Sequence, residues 1–392
     1  GVSLNSMGCV QAINLNGNKV TGQMPNLNLP GLETLSLQNN SLKDTIPNFD
    51  KLPLLIKLDL GLNPFTGAVP DLAKCPLLEY ISFNNCLLRG TIPPFSHLIN
   101  LKFLALAANR NDLLGSGLTG SLPTFTQNTK LAELIVNDNL LDGNIHNFNL
   151  PNLKVLFLHR NKFFGNIPSL SKCTLLENFE LGTNRLTGKL PDFGFFPKLV
   201  AFTINNNLIS DTLPRFKLNP LLLELWLHNN YFTGDMVDFE KDNPSLRRLT
   251  LDSNKLTFKN IIDNLAKNKN LVEVKNQWSQ SKFSYAPQQK IYADTTINIP
   301  PCTDYTLDLK IDDTVTTSTY TWFKDGSPFM PPIKGTNKLT FKNFTSANNG
   351  TYTVSITNPL APQLTLESHP IRLTTSGAMA SINNPRDTSL SC

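Results

Sequence analysis

The sequence predicts a solenoid, built on a curved parallel β-sheet with a mostly non-helical convex side, followed by an all-β sandwich. Three observations carry this reading. The phrase LFLHRNKFFGNIP, Leu156 to Pro168, reads apolar-x-apolar-x-x-Asn-x-apolar-x-Gly-x-Ile-Pro and returns through the first two-thirds of the 392 residues. Its Asn position falls at Asn18, Asn40, Asn63, Cys86, Asn109, Asn139, Asn161, Asn184, Asn207, Asn230 and Asn254, in steps of 22 to 24 residues with one step of 30. A fixed period of this size marks a stack of identical supersecondary units. From Lys290 onward the period changes to strand-like alternation punctuated by turn signals, as in a sandwich.

Taken in order, residues 1–9 read as the tail of a cap leading into a first strand at Val10 to Leu15, and the segment that closes the cap is expected to lie outside this chain. Each repeat then supplies a short strand, such as Leu58–Leu60 or Leu156–Leu158, whose apolar pair points inward because alternate strand residues face opposite sides. The Asn that follows can bond backbone groups at the turn, and stacked copies form a ladder with Cys86 as its weak rung. In TGQMP, RGTIP or TGKLP, Gly allows a conformation other residues resist and Pro forbids a helix, so the back is extended. Beyond it runs a column of Leu27, Phe49, Leu72, Phe95, Phe125, Phe148, Leu170, Phe193, Phe216 and Phe239, read as an interior aromatic spine.

Residues 110–117, RNDLLGSG, account for the long step and should bulge between the two faces. Residues 259–269, KNIIDNLAKNK, read as a capping helix before a final strand near 271–274. The expected domains are therefore a solenoid of about 11 repeats over 1–275, a connector at 276–289, a sandwich at 290–375 and a tail at 376–392.

Composition narrows the function. Hydrophobic content is 40%, charged content 17% and net charge +5, with no Lys/Arg run of the kind that grips nucleic acid or a polybasic membrane site. No apolar stretch approaches the ~20 residues of a membrane helix. The six cysteines form no C-x-x-C pair, and Cys75 and Cys173 share one repeat position, which suits small buried residues better than disulfide partners. Cys302 is expected to have no disulfide partner within residues 290–375. No hydrolase elbow, P-loop or zinc spacing is present, so neither an enzyme nor a cofactor or metal is expected. His159 and His228 share a repeat position three strands apart, roughly 14–15 Å, too far for one ion.

The repeats resemble the LxGxIP class of leucine-rich repeats, found in plant receptor-kinase ectodomains and secreted bacterial proteins, over about residues 9–258. Steps of 23, the lack of flanking cysteine pairs and only three glycosylation sequons (Asn39, Asn343 and Asn349) favour the bacterial form. The second domain resembles an immunoglobulin-like module, with Trp322 in the place of the core tryptophan and Tyr352 in that of the tyrosine corner. Its usual disulfide is missing, since Val354 stands where the second cysteine belongs. Together these resemblances imply an extracellular, secreted or surface-attached protein.

Function is expected on the exposed column beside the strand leucines: Lys57, Tyr80, Phe103, Ile135, Val155, Phe157, His159, Arg160, Glu180, Trp226 and His228. Aromatic and apolar residues at positions facing water, with an Arg nearby, are the usual anchors of an interface. Phe103, Ile135 and Phe157 are expected to form its contiguous patch, covered or extended by the 110–117 insert. The sequence thus predicts a non-enzymatic recognition or adhesion protein that binds a protein or peptide on its concave face. The alternatives are a glycan-binding arm using Trp226 and Tyr80, or a plain surface spacer.

Overall fold

The computed structural model describes residues 1–268, 271 and 283–376. By compactness the chain divides into one unit of Gly1–Asn230 with Phe239–Thr250, and a second of Tyr231–Asp238 with the residues from Leu251 onward.

The first unit is a parallel β-solenoid. Its concave sheet comprises β1 (Val2–Leu4), β2 (Val10–Asn14), β3 (Thr34–Ser36), β4 (Lys57–Asp59), β5 (Tyr80–Ser82), β6 (Phe103–Ala105), β7 (Glu133–Ile135), β8 (Val155–Phe157), β9 (Asn178–Glu180), β10 (Ala201–Thr203), β11 (Glu224–Trp226) and β12 (Arg248–Thr250), side by side in chain order. From β3 onward each strand begins one residue before the apolar pair that signalled it. β1 lies antiparallel on β2, so the residues expected to be a cap tail form a strand of their own. All later neighbours are parallel and unshifted, with Tyr80 opposite Phe103, Phe103 opposite Glu133 and Ile135 opposite Phe157.

The interior explains the period. Leu58, Ile81, Leu104, Leu134, Leu156, Phe179, Phe202 and Leu225 are fully buried, and of the spine only Leu27 is not. Phe193 sits 4.9 Å from Phe202 and 4.5 Å from Phe216, ring centre to ring centre, so the spine packs ring against ring. The ladder asparagines are spent on backbone. Asn139 donates to the carbonyls of Leu106 (2.8 Å) and Val136 (3.1 Å) and accepts from the Leu118 amide (3.1 Å). Cys86, in the same slot, reaches the Leu60 carbonyl at 3.8 Å with a sulfur that burial pushes up to about 12. A second Asn column was not foreseen: Asn128, Asn219 and Asn243 are buried and donate to carbonyls of the preceding turn. Cys75 and Cys173 occupy that slot in other repeats and are buried and free, as expected.

The back of the solenoid is extended, with strands such as Phe164–Asn166, Arg185–Gly188 and Leu208–Ile209 in parallel. The 110–117 insert closes on itself through an Asn111–Ser116 bridge and is tied to the Arg89 side chain, which donates to the Leu114 carbonyl at 2.7 Å. Arg89 belongs to a back-side strand that pairs with Gly117–Leu118, so the insert is anchored on the back rather than over Phe103, Ile135 and Phe157.

The second unit holds the last turn, a helix α1 (Phe258–Leu265) and a β-structure. Thr257 precedes α1, and Asp312 caps it: its carboxylate accepts from the Thr257 hydroxyl (2.5 Å), the Lys259 amide (3.0 Å) and the Phe258 amide (3.1 Å). This shared capping gives a physical reason for the compact unit to begin at Leu251, before the boundary expected from the repeats. The final strand expected near 271–274 lies, beyond Leu271, outside the described residues, as do residues 276–282 of the connector and the tail from 377.

The β-structure has strands β13 (Thr295–Ile299), β14 (Tyr305–Asp308), β15 (Thr319–Lys324), β16 (Lys338–Phe341), β17 (Gly350–Thr357) and β18 (Ile371–Thr375). One sheet runs β13-β18-β17-β15 and continues into Ser327–Pro328; β14 pairs with β16 separately. Trp322, Tyr320 and Tyr352 are fully buried, and Phe341 of the smaller sheet meets Tyr352 of the larger at 5.4 Å. The Tyr352 hydroxyl donates to the Asn348 carbonyl at 2.7 Å. Cys302 is disulfide-bonded.

Candidate functional site

The strand register sorts the side chains of the concave sheet that point away from the leucine core into rows. The first row runs Lys57, Tyr80, Phe103, Glu133, Val155, Asn178, Ala201, Glu224, Arg248; the second runs Asp59, Ser82, Ala105, Ile135, Phe157, Glu180, Thr203, Trp226, Thr250. His159 and His228 follow two residues beyond the second row. The proposed patch of Phe103, Ile135 and Phe157 is therefore split. Phe103 stands in the first row and stacks on Tyr80, centroids 4.2 Å apart and planes within 3°. Ile135 and Phe157 are neighbours in the second row, with Ala105 between Ile135 and β5.

Tyr80 is already covered. Phe103 takes one face, and Lys57, on the strand at the other side, places its ammonium 4.7 Å from the ring centre. Its hydroxyl is pushed up by burial and by the nearby Asp59. Among the aromatic candidates, Tyr80 thus offers no open ring face for stacking.

The relief changes at β9, β10 and β11. The middle strand carries only Ala201 and Thr203, whereas its neighbours carry Glu180 on one side and Glu224 and Trp226 on the other. Large, small, large across a sheet makes a trough, of about 320 Å³, lined by His159, Arg160, Glu180, Thr203, Glu224 and Trp226 among others. Gly182 keeps its far end open. A Cβ there would come within 2.6 Å of the Asn205 side-chain oxygen. Four of the sequence-predicted residues (His159, Arg160, Glu180 and Trp226) meet here; Tyr80, Phe103, Ile135, Val155, Phe157 and His228 do not line it.

The charges on the two walls are unequally matched. Arg160 is held by Asp138 at 2.7 Å, and Asp138 also accepts from the Asn137 amide at 2.7 Å. His159 lies between two carboxylates, Nδ1 3.0 Å from Glu180 Oε2 and Nε2 3.9 Å from Asp138 Oδ2. The close Glu180 approach lacks hydrogen-bond geometry, and His159 Nδ1 is buried without another partner. Opposite, Trp226 Nε1 donates to Glu224 at 3.2 Å, while Arg248 sits 5.1 Å from the Trp226 ring centre and 3.9 Å from Glu224. His228 is turned away to Thr250, 2.8 Å from its hydroxyl. The trough residues that sequence reasoning missed are the small ones: Gly182, Ala201 and Thr203 emit no signal except the absence of bulk. Among the described residues no group of His, Cys, Asp and Glu is arranged to hold a metal ion, and no helix is long and apolar enough to cross a membrane.

Residues 31–52 match the Leucine Rich Repeat family. The chain is 36% identical over 125 residues to the receptor-like protein kinase HAIKU2 of Arabidopsis thaliana, covering 28% of this chain and 12% of that protein. It is 30% identical over 158 residues to receptor-like protein 35 of Arabidopsis thaliana, covering 39% and 16% respectively. The chain thus spans a small part of either relative. Among solved structures, it is similar to the plant peptide hormone receptor RGFR1 in complex with RGF2, with a TM-score of 0.58 at 30% identity, covering 63% of this chain and 40% of that one. A TDR receptor follows with a TM-score of 0.54 at 25% identity, covering 63% and 48%. The leucine-rich repeat fold of the solenoid is common to these.

Proposed function

We propose that this chain is an extracellular, non-enzymatic recognition protein whose concave face binds a peptide or an extended segment of a protein. The trough between Glu180 and Trp226 is the observation that carries the reading, because it is a concavity with polar and aromatic walls on a face that otherwise presents a shallow sheet. The similar RGFR1 is a plant peptide hormone receptor, which supports this ligand class. We read the repeats as the LxGxIP class over 1–275 and residues 290–375 as an immunoglobulin-like sandwich acting as spacer or second contact. The buried Trp322 and the Tyr352–Asn348 bond support the latter. Glycan stacking loses one of its two expected platforms, since both faces of Tyr80 are occupied.

The test is selection of a displayed random peptide library on the immobilised full chain, followed by titration of the enriched peptides into a variant whose trough is filled, Thr203→Trp. Loss of binding by tenfold or more (~1.4 kcal/mol) is expected, in line with removal of a binding hot spot. A library with no enriched peptide, or peptides that bind the filled variant equally, refutes the concave-site reading.

A further inference from the structure

We propose that the trough is a receptor for a cationic side chain, and for arginine in preference to lysine, presented by the peptide whose binding was proposed above. Glu180 and Trp226 face each other in one row with only Thr203 between them. Neighbouring strands lie about 4.8 Å apart, so the two walls stand about 9.6 Å apart at the backbone. A planar group entering between them meets an aromatic face on one side and a carboxylate on the other.

Charge matching points to the sign of the guest. Arg160 is satisfied by Asp138, and Arg248 by Glu224 and the Trp226 ring. Glu180 has no cation of its own: its carboxylate touches only His159, which is charged only when protonated, and makes no hydrogen bond among the described residues. A partly buried carboxylate left without donors is a cost that a bound cation removes. Glu224, on the opposite wall, adds to the negative field. An anionic guest would meet both carboxylates, and an apolar one would strand them.

The shape points to arginine. A guanidinium is flat, stacks on an indole and offers paired N–H groups to a carboxylate, whereas an ammonium is a compact, strongly hydrated point. Trp226 already accepts one guanidinium, that of Arg248, at 5.1 Å. The small floor of Ala201 and Thr203 leaves length for the side chain to enter.

The experiment uses the full chain and peptides enriched from the random library. Each is titrated alongside a copy carrying citrulline for arginine, which keeps the shape and removes the charge, and one carrying lysine. On the wild-type chain, citrulline is expected to weaken binding on the order of tenfold or more, and lysine less. On Glu180→Gln the gap between the arginine and citrulline peptides is expected to narrow severalfold, since the coupling to Glu180 is gone while Trp226 and Glu224 remain. Peptides that lose affinity for Thr203→Trp yet tolerate citrulline overturn the cation assignment while leaving peptide binding in the trough intact. Peptides indifferent to Thr203→Trp overturn both. The citrulline comparison is made on the wild-type chain, so it holds whether or not the Glu180 variant folds.

Discussion

The Asn ladder invites a quantitative perturbation at Asn139, whose side chain is completely buried. Asn139→Ala removes three donated bonds, to the Leu106, Val136 and Asn137 carbonyls, and one accepted from the Leu118 amide. The carbonyls keep second donors, Asn109 at Leu106, Asn161 at Val136 and the Ala108 amide at Asn137, whereas the Leu118 amide is left buried without a partner, at a cost of about 1–3 kcal/mol. With the three lost bonds to carbonyls added at about 0.5 kcal/mol each, the total loss is expected to be about 3 kcal/mol. Asn18 is the internal control: it is exposed, donates only to the Asn16 carbonyl at 2.9 Å, and its replacement by Ala is expected to cost about 0.5 kcal/mol or less. In urea, with a slope of about 3 kcal/mol/M, the Asn139 variant should unfold about 1 M earlier than the wild type. Asn139→Cys, which copies the slot at Cys86, should fall between, because a thiol reaches one carbonyl weakly and accepts poorly. If Asn139→Ala moves the midpoint no further than Asn18→Ala, the ladder does not stabilise the stack and the argument from buried backbone groups fails.

Two further outcomes concern the second unit. Burial raises the Asp312 carboxyl above its ordinary 3.8, against the bonds from Thr257, Lys259 and Phe258 that favour the ionised form. Folding therefore favours its protonated form, so its contribution is fullest below pH 3.8 and declines as pH rises through the folded value. Asp312→Asn, which cannot ionise, should show a melting temperature that improves relative to wild type between pH 3 and pH 7; a difference that is flat or worsens contradicts the sign. Gly335 adopts φ +77°, and a Cβ there would lie 3.0 Å from the Thr316 carbonyl oxygen. Gly335→Ala should cost about 1–3 kcal/mol in chemical denaturation, and an unchanged midpoint would show that the turn yields freely.

Much of the fold was legible because a repeat states its rule many times. The inward pair, the ladder Asn and the aromatic column each appear often enough for one exception, such as Cys86, to stand out. The second Asn column was less visible, since only Asn128, Asn219 and Asn243 fill a slot that Cys75 and Cys173 also occupy, and no single residue type announces it. The site was legible only in part. Sequence could identify which residues face outward, but the pairing of Phe103 with Glu133 rather than Ile135 depends on register across a step lengthened by the insert. A search for aromatic side chains finds the wall at Trp226 and passes over Ala201 and Thr203, which create the space. Depth on a sheet is a difference between neighbours that are 23 residues apart in the chain, as Glu180 and Thr203 are.

The strict register has a consequence for anything laid along the solenoid axis. The surface presents a new strand about every 4.8 Å, while an extended chain advances about 3.3 Å per residue. Those two rulers agree only after three residues and two strands, near 10 Å. A polyproline-type ligand, at about 9.3 Å for its three-residue turn, keeps nearly the same beat. The interval from Glu180 across Thr203 to Trp226 is one such beat. A guest shifted by one residue would bring backbone to the gap where a side chain should be, so on the proposed binding the solenoid would discriminate by phase as well as by chemistry.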